Sequence, residues 1–272
     1  MARAPTPQAL IDAADAYEQL FVPALFREWA PRTLAASRAR TGNKVLDVAC
    51  GTGIVAREAL ALVGDGGSVA GLDPNAGMLA VAARLAPRVD WLEGVAESLP
   101  FPDGAFDVVA SQFGFMFFKD RIASLREMVR VLAPGGRLAV VVWGEIEQAP
   151  PYAALAALLE KRISQRAADA LYAPFSLGNR RLLVETFNAA HIPAVEVVTQ
   201  QGKARFPSLR VLVEAELRGW LPAMGVEVPE DQIASFLGES ERALSQFAGP
   251  GGNVVFDMSA HIATATAPHR GQ

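Results

Sequence analysis

A chain of 272 residues, just over half of them hydrophobic (51%) and a fifth charged (20%), fills a substantial core and excludes wholesale disorder. A net charge of −4, with lysine scarce and no dense Lys/Arg cluster, argues against tracking a nucleic-acid backbone and favours a neutral or apolar small-molecule substrate. The single cysteine, Cys50, excludes an intrachain disulfide. The amino terminus has no apolar signal core, and no window approaches the roughly 18 to 20 apolar residues of a membrane span, so the sequence reads as cytoplasmic.

After the leader "APTP", Leu10, Ile11, Ala14, Tyr17 and Phe21 recur at helical spacing. Pro23 breaks that pattern, and Leu25, Phe26, Trp29 and Leu34 resume it. Two helices are predicted ahead of the main fold, either as plain packing or as a flap over a site formed later. From Lys44 the pattern changes. "KVLDVA" predicts a strand, residues 54–63 a helix, "SVAGLD" a second strand and "NAGMLAVAARLA" a second helix. "VDWLEG" and "FDVVAS" read as the third and fourth strands, "DRIASLREMVRVL" as a helix and "RLAVVVW" as the fifth strand. The Gly- and Pro-rich "GDGG", "FPDG" and "APGG" punctuate the transitions. Nearly continuous apolar strands alternating with helices predict a parallel sheet covered on both faces.

Farther on, "PPYAALAALLEKRI" predicts a helix with Pro in its first turn, and "NRRLLVETFNAAHI" another, with Asn179 as N-cap and Pro193 as its stop. "AVEVVTQ" reads as a strand. Leu209, Leu212, Val213 and Trp220 mark one amphipathic helix, and Ile233, Phe236, Leu237, Leu244 and Phe247 a second. "NVVFDMSAHIATATA" is a long β-branched final strand. No repeat or clear linker divides the chain, so a single domain over 1–272 is expected. Within it lie a helical cap over 1–40, a ligand-binding core over 41–143, the rest of the sheet and its helices over 144–207 and 251–266, and a helical insertion over 208–250 placed as a substrate lid.

The chemistry concentrates at "KVLDVACGTG", where a strand runs into a glycine turn that continues as Ile54-Val55-Ala56 to give G-x-G-x-x-A. In a parallel sheet, ligands bind beyond the carboxyl ends of the strands where strand order reverses. Gly51 and Gly53 let the backbone approach a ligand, and helix N-terminal N–H groups face it. A pyrophosphate would gain from those donors, but the Asp47 carboxylate would oppose it. A ligand with a positive charge would welcome that carboxylate, and S-adenosylmethionine carries an ammonium and a sulfonium. Twenty positions after Gly53, Asp73 closes the second strand, where an acid can accept from both ribose hydroxyls. Pro74 and Met78 can flank an adenine face. This second feature suits NAD and S-adenosylmethionine alike.

"VLDVACGTG", "LDPNAGML", "GVAESLPFPDGAFDVVASQFGFMFF" and "MVRVLAPGGRLAVVVW", in that order, resemble the motifs of class I S-adenosylmethionine-dependent methyltransferases. The nearest group is the small-molecule type that includes the ubiquinone/menaquinone-biosynthesis methyltransferases. The resemblance is dense over 44–143 and elsewhere rests on element order. It implies a Rossmann-like α/β fold: about seven strands, mostly parallel, helices on both faces and an antiparallel last strand. It also implies S-adenosyl-L-methionine as cofactor and S-adenosyl-L-homocysteine as product. Asp47, Ala49, Gly51 and Gly53 would surround the methionine part, Asp73 would bind the ribose, and Ala96 and Glu97 would flank the adenine. Ser111 and Gln112 would lie beside the methionine end and the transferable methyl. Val95 departs from the family, which usually carries an Asp there to accept from the adenine amine; either a backbone carbonyl or Glu97 takes its place, or cofactor affinity is modestly lower.

The aromatic run after the fourth strand, Phe113, Phe115, Met116, Phe117 and Phe118, divides between core and pocket. Tyr17, Phe115, Met116 and Trp143 are the candidates for an apolar or aromatic-lined acceptor pocket. The acceptor atom is O, N or C on a small aromatic or apolar metabolite. No residue declares itself as a base, and Gln112, Tyr17 and His191 stand as orienters or bases. Cys50 reads as apolar filler. His191, His261 and His269 are too far apart to predict a metal site. "APPY" lacks the Asn or Asp that would clamp a nucleobase amine, Ala149 standing there instead. Two alternatives stay in view. One is a fold relative that binds S-adenosylmethionine without methylating, as a cyclase or binding module. The other is an NAD(P)-dependent reductase, weakened because no Tyr-x-x-x-Lys pair exists: Phe21, Ala156 and Ser176 follow Tyr17, Tyr152 and Tyr172 four residues on. A monomer or homodimer is expected, with no nucleic-acid partner.

Overall fold

The computed structural model describes residues 7–192 and 194–268. Most of the "APTP" leader, the predicted stop at Pro193 and His269 lie outside the described residues.

The chain opens with α1 (Pro7–Phe21), passes through a π-helical turn (Val22–Phe26) and continues into α2 (Trp29–Ala36). The break expected at Pro23 is thus absorbed as a wide turn. Strand and helix then alternate: β1 (Lys44–Val48), α3 (Ile54–Val63), β2 (Ser68–Asp73), α4 (Ala76–Leu85), β3 (Asp90–Glu93), β4 (Phe106–Gln112), α5 (Arg121–Arg130) and β5 (Leu132–Trp143). The helices start where a short polar side chain can satisfy their first free N–H groups. Asn75 accepts from Gly77 and Met78 at α4, and Asp120 from Ala123 at α5. β5 begins five residues before the predicted "RLAVVVW", because Leu132 already pairs with Phe106 ahead of a register shift.

Next come α6 (Pro150–Arg162), α7 (Gln165–Tyr172), α8 (Arg180–Ala189), β6 (Glu196–Phe206), α9 (Leu209–Ala215) with a second π-helical turn (Glu216–Trp220), α10 (Leu221–Ala223), α11 (Glu230–Ala243) and β7 (Val254–Thr266). Helix α7 has no counterpart among the predicted elements. Its signals are the Ser164 cap, accepting from Ala167, and the buried stripe Ala167, Ala168, Ala170 and Leu171. β6 outruns "AVEVVTQ" because the long β7 offers it an edge through Phe206.

The sheet order is β3-β2-β1-β4-β5-β7-β6. β1 to β5 are mutually parallel, and β7 runs antiparallel to both its neighbours. Strand order reverses between β1 and β4, where Leu46 pairs with Ala70 on one side and Val109 on the other. Val45, Leu46 and Val48 are fully buried, so the end of β1 that carries the glycine turn is fixed on both flanks.

Candidate active site

The chain leaves both central strands through strained backbone. Ala49 after β1 (φ 57°) and Phe113 after β4 (φ 56°) occupy the left-handed region, which costs a side-chain-bearing residue about 1–2 kcal/mol. Such strain persists where the surroundings dictate it, and both residues line the main cavity. A Cβ on Gly114 would stand 2.5 Å from that of Ala49, so the two loops approach as closely as glycine allows. The cavity between them encloses about 420 Å³.

Asp73 forms one wall of it. Its Oδ2 accepts from the Gly51 N–H and its Oδ1 from the Asn75 N–H, each at 2.9 Å. Because Asn75 supplies the α4 cap, Asp73 is not spent as one. Burial raises its pKa despite those two donors. Pro74, Met78, Val95 and Ala96 extend the wall away from the turn. Glu97 also lines it, but its Oε1 accepts from the Lys119 and Asp120 N–H groups at 2.9 and 3.3 Å and so holds the entry to α5.

Asp47 lies beneath the turn, not in the cavity wall. Its Oδ2 accepts from the Ala56 N–H at 3.0 Å, tying β1 to the first turn of α3. Burial pushes its pKa up to about 8. The carboxylate expected to meet a cationic ligand does not line the cavity and instead fixes the turn from below. Gly53 is small for a packing reason, since a Cβ there would enter the Trp91 ring. Ser111 is fully buried, its Oγ has no hydrogen-bond partner among the described residues, and it does not line the cavity. Gln112 does line it, accepting from Thr33 Oγ1 at 2.8 Å and donating to the Phe26 carbonyl at 3.2 Å.

Of the substrate-lining candidates, Tyr17 and Trp143 face the cavity. Phe115 and Met116 do not. Phe115 is sealed in the core against Phe118 and Phe187, and Phe113, Phe117 and Phe118 take the places predicted for the pair. Across the 3-10 turn Phe115–Phe117 the side chains change sides, Phe115 and Met116 towards the core and Phe117 and Phe118 towards the cavity, a detail that spacing alone does not reveal. Trp143 stacks on Phe113 with centroids 3.7 Å apart, and Phe26 stacks on Tyr17 at 5.5 Å. His191 is exposed beyond α8, away from the cavity, which removes it as a base. His261 is buried between Thr199 and the Gly178 carbonyl. Cys50 is buried filler whose thiol pKa is pushed up chiefly by burial.

Helix α1 is strapped across the site. Glu18 accepts from Thr52 Oγ1 at 2.6 Å and from Arg57 at 2.8 Å, and the Leu10 backbone fits where Gly77 has no side chain. Tyr17 consequently lies over Gly51. Its phenol is pushed far above the usual range by burial, then by Asp73, Glu18 and Asp47.

The far end of the cavity holds a pair missing from the sequence reading. Tyr152, on α6, donates to Glu216 Oε1 at 2.9 Å, and both side chains are buried cavity-lining groups. Burial pushes the Glu216 pKa up to about 8. Glu216 continues the stripe Leu209, Leu212, Val213, Trp220, and an acid on an apolar stripe is the signal that could have found it.

The residues fit S-adenosylmethionine: a carboxylate with spare acceptor capacity ends β2, a backbone turn is cleared of side chains, and apolar walls continue from both. Strand order, the reversal point and this pocket define a class I S-adenosylmethionine-dependent methyltransferase fold. The chain belongs to the ubiE/COQ5 methyltransferase family, which it matches over residues 10–161. It is 37% identical over 139 residues to the ubiquinone/menaquinone biosynthesis C-methyltransferase UbiE of Pseudoalteromonas translucida, covering 49% of this chain and 55% of that one. It is 41% identical over 132 residues to the demethylmenaquinone methyltransferase of Beutenbergia cavernae, covering 48% and 52%. The chain thus spans about half the length of these curated relatives. In fold it is similar to Haemonchus contortus phosphoethanolamine N-methyltransferase 2, solved with phosphomonomethylethanolamine and S-adenosylhomocysteine. The TM-score is 0.59 at 18% identity, over 99% of this chain and 62% of that one. Among the described residues no helix is long and apolar enough to cross a membrane, and no His, Cys, Asp and Glu group is placed to hold a metal ion.

Proposed function

We propose that this protein transfers the methyl group of S-adenosylmethionine to a small apolar or aromatic acceptor. The observation that carries this reading is the continuity of one cavity from Asp73 and the glycine turn to Trp143 and Tyr152. Asp73 would take the ribose, Pro74, Met78, Val95 and Ala96 would flank the adenine, and the backbone of Ala49, Gly51 and Gly114 would receive the methionine part. Asp47 supports them from below. When bound, the cofactor supplies a methyl group on a cationic sulfur. The protein's part is then to align the two reactants and keep water out. Helix α1 and the insertion over 208–250 are suited to the second task.

Much of the acceptor end lies beyond the family match. Leu171, Pro174, Phe175, Trp220 and Met258 lie outside the residues matched to the family. The relatives' names speak of carbon methylation in quinone biosynthesis, and an aromatic acceptor agrees with these walls. Calorimetric titration with S-adenosylmethionine, S-adenosylhomocysteine and NADH tests the reading. Binding of the first two is expected, and tight NADH binding without them would sink it. Release of S-adenosylhomocysteine in the presence of phenols or quinols then separates methylation from binding alone.

A further inference from the structure

The acceptor end of the cavity carries a carboxyl group that packing does not call for. Glu216 is 3% exposed, and burying a carboxylate costs several kcal/mol unless a cation or hydrogen bonds compensate. No cation pairs with it among the described residues. The charged groups on the elements packed around it are engaged elsewhere: Arg218 with Glu230, Arg210 with Glu214, Asp15 with Arg84, and Glu18 with Thr52 and Arg57. Asp169 accepts from Gln165, and Tyr172 is exposed. Among the described residues Tyr152 is its hydrogen-bond partner, at one oxygen.

The backbone is shaped to present this group. Glu216 opens the π-helical turn that continues α9, and Trp220 closes it. Both line the cavity. Such wide turns inside a helix recur at functional sites, since the extra residue re-aims the side chains that follow. Trp220 is fixed by donating from Nε1 to the Ala170 carbonyl at 2.8 Å and by packing on Phe117. The walls around the pair are apolar: Trp143, Leu171, Phe175 and Met258. A single carboxyl in an apolar wall suits an apolar molecule with one acidic hydrogen to give.

We propose that Glu216, positioned by Tyr152, is the catalytic residue that accepts the proton of the acceptor's hydroxyl, and that the acceptor is an apolar ring bearing a phenolic or enolic O–H. This rests on the methyl-transfer reading above. In the step, the acceptor's O–H bond breaks and its proton passes to the Glu216 carboxylate. The electron pair left on the acceptor oxygen, or on a carbon conjugated to it, forms the new bond to the methyl carbon. The former carbon–sulfur pair stays with sulfur, which becomes neutral. A carboxyl raised by burial to about 8 exchanges its proton near the ordinary working pH, the condition under which general-base catalysis is most effective. The Tyr152 phenol, held well above its usual range by burial and by Glu216, remains a donor throughout.

The full chain, saturated with S-adenosylhomocysteine, is titrated with 4-nitrophenol and with its methyl ether 4-nitroanisole between about pH 6 and about pH 9. The phenol's absorbance reports its ionisation in the site. Glu216→Gln, which keeps the shape, is expected to weaken 4-nitrophenol binding about tenfold or more and to leave only the pH dependence of the phenol's own ionisation, while 4-nitroanisole binds both proteins equally. Tyr152→Phe removes a bond that lowers the Glu216 pKa, so the midpoint should move to higher pH, a change that a purely structural tyrosine would not cause. With any phenol that turns over, Glu216→Gln should lower kcat ~10²–10⁴-fold at unchanged S-adenosylhomocysteine affinity. Equal 4-nitrophenol binding and pH dependence in wild type and Glu216→Gln would overturn the proposal. So would failure of 4-nitrophenol to bind a wild-type protein that holds S-adenosylhomocysteine. Failure to bind S-adenosylhomocysteine itself would instead strike at the methyl-transfer reading.

Discussion

At the scale of single residues, two aspartates at strand ends do different work, Asp73 in the cavity wall and Asp47 beneath the glycine turn. Asp73 faces the cavity and holds Gly51 in place, so Asp73→Ala should weaken S-adenosylhomocysteine binding by ~1–3 kcal/mol through lost charge-assisted hydrogen bonds. Calorimetry measures this, and an unchanged affinity would put the ribose elsewhere. Asp47 is legible in sequence as important but not for the right reason. Its position at the end of β1 is read from the apolar run before it, whereas the direction of its carboxyl depends on where α3 begins. The folded pKa of about 8, against 3.8 in an unfolded chain, means the native protein keeps a proton that the unfolded chain releases. Its stabilising contribution is complete below about pH 4 and is lost as pH rises towards about 8. The slope is at most about 1.4 kcal/mol per pH unit. Asp47→Asn keeps the acceptor for Ala56 and should flatten that fall in urea-unfolding midpoints measured across the interval. An identical slope in the variant would assign the proton to another group.

At the scale of elements, the alternating βα order from 44 to 143 is readable because each strand is an apolar run and Gly or Pro marks every turn but the one from α5 to β5, where "APGG" lies inside the strand. The capped helices are readable for the same local reason. What escapes is whatever tertiary packing decides: the start of β5, the length of β6, the helix α7 and both π-helical turns. The turns matter most, because Leu25 and Phe26 on one and Glu216 and Trp220 on the other all line the cavity. An unbroken helical period cannot show a residue inserted into it. The docking of α1 also depends on a glycine whose role no spacing reveals. A Cβ on Gly77 would run into the Leu10 backbone, which cannot move aside as a side chain can. Gly77→Ala should therefore lift α1 from α4, seen as faster amide exchange over Pro7–Phe21 and weaker S-adenosylhomocysteine binding, with the sheet still protected. Unchanged exchange in α1 would mean that its ion pairs through Asp15 and Glu18 hold the helix without that contact.

For the molecule as a whole, the site is a meeting of two unequal halves. The cofactor half sits at the reversal of strand order and is what the sequence motifs announce. The acceptor half is assembled from α6, α7, the second π-helical turn and β7, elements distant in sequence that meet around one cavity. No local pattern encodes that convergence, which is why Tyr152 and Glu216 are found by structure. Since α1 and the insertion both close on the same cavity, a ligand that fills the cofactor half should tighten both. Saturation at about 100 times Kd adds ~2.7 kcal/mol to the stability of a native state that alone binds the ligand. For a domain of this size that corresponds to a rise of roughly 5–10 °C in Tm. S-adenosylhomocysteine should produce this rise together with slower amide exchange over both α1 and α9 through Trp220. Those segments exchange by local opening, so protection there reports closure and not global stability alone. A higher Tm with exchange slowed only in the sheet would show that the ligand binds without drawing the two helical elements onto it.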